Sequence, residues 1–313
     1  MLLITSPIAK DRFVDTDLDT LATALYVTVD DLLVKHPEQL PPRPKGSWPV
    51  RITDAELITL AVMAALLGHT NERRWVRWAR ANLTCYFPHI PKQSGYNKRL
   101  RKLVETIAWV REVMARSTDQ WCDGVWVVDS TPIEAARSRE TTRRSDLAGY
   151  GEYGYCASHS RFFWGLRLHL LCTLGGGPIG FALTGAKADE RETLISILSD
   201  MQARPGQTII GDKNYHGKAF ETELADQGIV LLRKARKGEA PRPGVEFFKP
   251  LRQVIESINA TLKTHLNIEG HRGRTLPGLI VRILTQLLAL TTAIWHNERA
   301  GAPIKRSLIA YDH

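Results

Sequence analysis

The chain has 313 residues, 43% hydrophobic and 24% charged, which fits a soluble globular protein with a sizeable core and excludes a disordered or collagen-like chain. Lys and Arg number 42 against 33 Asp and Glu, a formal net charge of +9 that favours an anionic partner such as nucleic acid. The four cysteines (Cys85, Cys122, Cys156, Cys172) contain no C-x-x-C pair, which excludes a zinc ribbon and a disulfide framework and fits a reducing cytoplasm.

The first third reads as helix. Leu18, Leu21, Leu25, Val29, Leu32 and Leu33 recur at helical spacing behind Thr16 as an N-cap, with His36-Pro37 beyond the end. The residues before them lack the basic lead and apolar length of a signal peptide. After a proline-rich connector, Thr53-Asp-Ala-Glu56 spells a capping box that opens an apolar helix. Residues 71–83 predict an amphipathic helix with Arg73, Arg77 and Arg80 on one face and Trp75 and Trp78 opposite. Over residues 96–114 one further helix is expected. Leu100, Leu103, Val104 and Ile107 form its apolar stripe, with Lys98, Arg99, Arg101 and Lys102 at its N-terminal end. Two short basic helices fit either a helix-turn-helix-like module that reads DNA or a pair of surface helices with solvated charge.

From about residue 120 the pattern changes. "VWVVD" is a strand, with Pro132 expected to stop it. Two apolar segments flanking Gly175-Gly-Gly177 read as a hairpin. A helix follows, where Asp189 and Glu192 look like a cap and its reciprocal partner, and a helix start also accounts for Glu190. "QTIIGD" is a second strand ending in Asp. Then come a helix from Gly217, the strand "GIVLLRK" and the helix "PLRQVIESINATLKTHL". This order predicts an α/β protein with a mixed sheet and flanking helices. The apolar stretch around residues 279–295 is interrupted by Arg282, Thr285 and Gln286, so a buried core helix is expected and a membrane span is not.

Asp129 closes a buried-looking run, and alone it is explained by a turn cap, since an ionised carboxylate is costly to bury without a partner. Asp212 closes another strand, and open α/β sheets place ligands outside the carboxyl ends of their strands. Two such carboxylates make a half-site for Mg²⁺, which takes one or two carboxylates together with water and phosphate oxygens. Arg252, Glu256, Asn259 and Lys263 then fall on one helical face. On one reading Glu256 completes the metal site while Arg252 and Lys263 reach phosphates; on the other the face is simply salt-bridged. Two basic segments, residues 137–146 and 233–244 (with Arg233 and Arg236), are expected to be mobile without DNA and to hold its backbone. Lys213 and the basic turn at 269–275 are further candidates, each also readable as ordinary surface charge.

The stretches "VVDSTPI", "GDKNYHG" and "RQVIESINATLK" resemble the Asp-Asp-Glu triad of bacterial insertion-sequence transposases. The likeness is closest to the insertion-sequence 982 family, and more broadly to the group carrying a Tyr-x-x-Arg-x-x-x-Glu-x6-Lys signature. Arg252, Glu256 and Lys263 keep that spacing, whereas Lys249 stands at the Tyr position. "SGYNKRLRKL", "ADERE", "GRTLPGLIVRIL" and "KRSLIAYDH" carry the likeness over nearly the whole chain. The resemblance implies a ribonuclease-H-like catalytic core over residues 119–300, after a helical DNA-binding region over 1–118 and before a tail of 301–313. It implies two Mg²⁺ or Mn²⁺ ions on Asp129, Asp212 and Glu256, by general rule ~3.5–4 Å apart. Water would attack the DNA ends, and the freed 3′-hydroxyl would attack target DNA. A dimer on DNA in the bacterial cytoplasm, at the nucleoid and away from membranes, is expected. A transposase-derived DNA-binding protein without catalysis and a nuclease on the same fold are the rival readings. A dinucleotide enzyme is disfavoured, because no G-x-G-x-x-G follows a strand.

Overall fold

The computed structural model describes residues 16–46, 49–136, 138–156, 160–242, 244, 248–304 and 308. It opens with α1 (Thr16–Lys35), α2 (Asp54–Leu66), α3 (Glu72–Asn82), α4 (Gln93–Lys102) and α5 (Val104–Arg116). The capping box at α2 forms: the Thr53 hydroxyl accepts the Glu56 N–H at 3.1 Å, and the Glu56 carboxylate accepts the Thr53 N–H at 2.5 Å. The single helix expected over 96–114 is instead two, broken at Leu103 (φ −92°, ψ 12°). The break lets α4 stay against α3 while α5 turns to pack along the C-terminal helix.

The remaining elements are β1 (Val125–Ala136), α6 (Arg139–Arg143), β2 (Glu152–Cys156), β3 (Arg161–Thr173), β4 (Pro178–Gly185), α7 (Glu190–Met201), β5 (Thr208–Ile210), α8 (Lys218–Asp226), β6 (Val230–Leu232), α9 (Phe248–Ala260) and α10 (Leu276–Arg299). The sheet runs in the order β2-β3-β1-β5-β6, with β4 also on β3. β2 and β4 share the far edge of β3 end to end, opposite Arg161–Gly165 and Leu166–Cys172 respectively. β3 is antiparallel to β1, while β5 and β6 run parallel to it, so the expected mixed α/β core is present behind a helical N-terminal region.

Two details depart from the sequence reading. β1 does not stop at Pro132 but continues to Ala136, paired with β3 from Trp126 onward apart from a register shift between Glu134 and Ala136. Beyond Val127 its β5 edge is open, so a proline there costs no ladder bond. β2 was not expected at all; its five residues follow a charged stretch and gain strand form only by adding to the edge of β3.

One sheet face, through Trp126, Val128 and Leu171, packs on Leu194, Ile197 and Leu198 of α7 and on Phe220 and Leu224 of α8. The other, through Leu168, Leu170 and Cys172, belongs to a buried cluster that continues through α9 and α10 into α1, α2 and α5. The boundary expected near residue 118 therefore separates sequence patterns, not cores. α10 is long and apolar enough to cross a membrane, but 89% of its apolar window is buried inside the protein, as a core helix is. A polar line crosses this core. Arg282 reaches Glu72 at 2.7 Å and the His271 carbonyl at 2.5 Å, and the His271 ring contacts the Glu134 carbonyl at 3.1 Å. Burial holds the His271 pKa below the usual value, keeping the ring neutral in this line.

Candidate active site at the open end of the sheet

β1 and β5 pair in parallel register, Val125 with Thr208 and Val127 with Ile210. Two residues past the last pair the chain reaches Asp129, still within β1, and Asp212, in the turn that follows β5, and the charge of Asp212 acts on Asp129. Asp129 is half-buried. Burial pushes its carboxyl up to about 6; the Ser130 N–H and Asn259 oppose the shift, and the charges of Asp212 and Glu190 add to it. Asp212 closes a turn in which one carboxylate oxygen accepts the Asn214 N–H at 2.7 Å and the other its side-chain amide at 3.0 Å. Its pKa is also raised, by desolvation first and by Glu190 further down. Mutual repulsion between acids at one end of a sheet is what a divalent cation relieves.

α9 approaches Asp129 from one side. The Asn259 amide donates to Asp129 at 2.6 Å, fixing one carboxylate oxygen. Glu256 lies one turn earlier on the same helix and is exposed. The Arg252 side chain and the whole of Lys249's lie outside the described residues. Lys263 does not join this face. The helix widens into a π turn over Thr261–His265, each residue of which advances less around the axis than in an α-helix, and Lys263 pairs with Glu269 at 3.1 Å.

α7 approaches from the other side. Asp189 caps it by accepting the Arg191 and Glu192 N–H groups, and Glu190 is thereby aimed at the sheet. One Glu190 oxygen accepts from the Ser130 hydroxyl at 2.5 Å and from Arg167 at 2.9 Å. Arg167 also donates to Ser130 at 2.9 Å and to the Tyr155 carbonyl at 3.3 Å. Beneath them Tyr215 is 1% exposed, and its hydroxyl has no hydrogen-bond partner among the described residues. Burial raises its pKa well above the usual value, and the charges of Glu190, Asp129 and Asp212 raise it further. Sequence reasoning assigned Glu190 to a helix start and passed over Arg167, Ser130 and Tyr215. The signal that was available is a lone Arg in the apolar strand "FFWGLRLHLL".

These donors fit a hard divalent cation in kind: the carboxylates of Asp129 and Asp212, each raised in pKa first by burial and further by an acidic neighbour, and a buried hydroxyl without a partner among the described residues. As placed, no three His, Cys, Asp or Glu side chains among the described residues are close enough to hold one ion.

The basic residues divide into two groups. Arg73, Arg77, Lys102, Lys213 and Arg236 are exposed. Arg73 and Arg101 share a groove of about 430 Å³ with Arg272 and Arg274, so the α3–α4 pair and the 269–275 turn meet on one surface. Arg99 is committed elsewhere: it pairs with Asp54 and donates to the Ile52 carbonyl at 2.8 Å, tying α4 to α2. Arg233 is 4% exposed and pairs with Glu221 and Glu239, each at 2.7 Å. Arg242 joins the same two acids at 2.9 and 3.0 Å. The expectation of a mobile DNA-holding loop thus gives way, for residues 233–242, to a buried guanidinium that organises it.

Residues 120–292 match the family described as Transposase DDE domain, more than half of the chain. A solved structure, the piggyBac transposase synaptic complex with hairpin DNA, aligns with 96% of this chain and 80% of that one, at 8% identity and a TM-score of 0.45. No curated protein sequence matches.

Proposed function

The chain belongs to the transposase DDE domain family, and on that premise we propose that it cuts DNA at the ends of a bacterial transposable element and joins those ends to target DNA. The observation that supports this best is the β1–β5 register, which brings Asp129 and Asp212 each two residues past the last pair, with Asn259 of α9 bonded to Asp129. Within the family, the motif likeness favours the insertion-sequence 982 group.

Asp129, Asp212 and Glu256 would hold Mg²⁺ or Mn²⁺. A divalent ion bound there supplies an activated oxygen nucleophile at neutral pH and stabilises the leaving oxygen. The chain's own residues do the rest. Asn259 holds one Asp129 oxygen through its amide and so restrains the carboxylate. Lys213, next to Asp212 in the chain, and Arg236, which contacts the His216 ring at 3.4 Å, are exposed and would bind the phosphates flanking the scissile bond. Arg73, Arg77, Arg101 and Lys102 hold the duplex farther out, and two chains act together because two ends are joined to one target. No side chain need become covalently attached to DNA, since water in the first step and a sugar 3′-hydroxyl in the second can occupy the same position.

The test is incubation with DNA carrying the flanking inverted repeats and Mn²⁺, comparing wild type with Asp212→Asn and Glu256→Gln. Both variants should bind the ends and fail to cut them. Undiminished cutting by Asp212→Asn would remove that residue from the reaction. Cut ends that never appear joined to target DNA would make the protein a nuclease.

A further inference from the structure

We propose that the groove between α3, α4 and the turn preceding α10 is a track for the DNA sugar-phosphate backbone, gripped without regard to base sequence by Arg73, Arg101, Arg272 and Arg274. The track rests on the proposed DNA-joining function for the identity of its ligand alone, and its lining includes neither Asp129 nor Asp212.

The four arginines come from three stretches far apart in the chain. Arg73 stands in the first turn of α3, Arg101 in the last turn of α4, and Arg272 and Arg274 just before α10. All line one concavity of about 430 Å³, and none has a carboxylate partner among the described residues. Glu72, the one acid among the described residues that line it, is already engaged. It accepts from Arg282 at 2.7 Å, from the Asn97 amide at 2.9 Å and from Gln93 at 3.2 Å. The Arg101 Nε is buried and has no hydrogen-bond partner among the described residues, so a donor in the groove wall is left unmet. Like charges gathered in a concavity raise the local potential and call for an anion.

The turn is held from beneath. The His271 ring contacts the Glu134 carbonyl at 3.1 Å and accepts the Gly273 N–H at 3.0 Å, while Arg282 donates to the His271 carbonyl. Gly273 presses on α10: a Cβ there would come within 2.7 Å of the Leu279 Cα, so a larger residue would displace the turn. Arg272 and Arg274, on either side of it, stay exposed. A second concavity of about 520 Å³ shares Arg73 and Gln93 with the first and adds Arg77, Arg80 and Lys92, so the positive surface continues along α3. A row of that length suits a polyanion, where a single phosphate would occupy only one end. In a helix-turn-helix module the N-terminal end of the second helix protrudes to meet base edges. Here that end, Gln93, lies in the groove wall bonded to Glu72, and a concave surface receives a backbone strand instead.

The test is equilibrium binding of the full chain to a short fluorescent duplex across a salt series, without divalent metal, read by anisotropy. Two duplexes are used, one carrying the element's end and one of scrambled sequence. Each phosphate contact contributes about 0.9 to the slope of log K against log salt, so Arg272→Gln/Arg274→Gln and Arg73→Gln/Arg101→Gln should each flatten it by about 1.8, equally on both duplexes. Lys35→Gln/Arg204→Gln, which removes the same charge from exposed positions outside the groove, should leave the slope as in wild type. Circular dichroism checks folding; should Arg73→Gln/Arg101→Gln fail to fold, the exposed Arg272 and Arg274 pair decides alone. An unchanged slope in that pair, equal flattening in the control, a loss confined to the end sequence, or no binding by wild type overturns the proposal. So does polyglutamate that binds as tightly as DNA and responds to the same variants, which would assign the groove to an acidic peptide. Because no metal is present, the two readings fail separately: DNA bound with the expected slopes but never cut in Mn²⁺ leaves the track standing and removes the joining function.

Discussion

α7 and α9 each carry a glutamate and approach β1 from opposite faces of the sheet, and they engage it differently. On α9, Glu256 is exposed, and the contact to Asp129 is made by its neighbour Asn259. On α7, Glu190 itself reaches the strand, but through Ser130 and Arg167. The α9 side is the one whose spacing advertised a site in the sequence, while the α7 side is the more tightly built. A carboxylate's part in a site is therefore set less by the motif around it than by what holds it, and the two helices can be tested against each other.

The largest effect is expected where both sides meet. Asp129→Asn should abolish end cleavage and leave the fold intact, because it removes the acid toward which Asn259 and Ser130 both converge; cutting assays with circular dichroism check this. On the α9 side alone, Asn259→Ala should lower cation affinity or cleavage by about 10–100-fold, the usual cost of losing a group that orients a ligand. A loss smaller than that would shift the weight of the site to α7.

Arg233→Ala should destabilise by ~1.5–3 kcal/mol in chemical denaturation, the worth of hydrogen bonds to charged partners, with some screening at the part-exposed Glu221 and Glu239. The salt dependence of DNA binding should not change, since a buried guanidinium releases no phosphate counter-ion.

Asp129 also makes a pH prediction for the metal-free protein. Its folded pKa, about 6, lies above that of an unfolded Asp, so between about pH 4 and 6 the folded state holds a proton the unfolded chain has lost. The stability this contributes is present below pH 4 and is lost as pH rises through 6. Thermal midpoints of wild type should fall across that window relative to Asp129→Asn, which lacks the titration. Saturating Mg²⁺ should flatten the slope by favouring the charged form.

The smallest effect is a control far from both helices. Thr53→Ala should cost ~1 kcal/mol through the α2 cap and leave cutting unchanged.

Much of this protein is determined by local rules. The capping box at Thr53, the hairpin at Gly175–Gly177 and the buried character of α10 follow from short-range patterns, because caps, turns and apolar stripes act within a few residues. The starts of β1 and β5 were legible for the same reason, since a β-branched run is a local feature, but the end of β1 was not. What tertiary structure alone decided lies across the sheet. Pro132 could continue β1 only because β5 is short. The helical region and the sheet share one core because α10 returns between them. Arg233 turned inward because Glu221 and Glu239 lie beside it. Glu190 does start α7, but its bonds to Ser130 and Arg167 reach 60 and 23 residues away in sequence. Pairings of that separation depend on strand register and helix docking, and no window of sequence contains both partners.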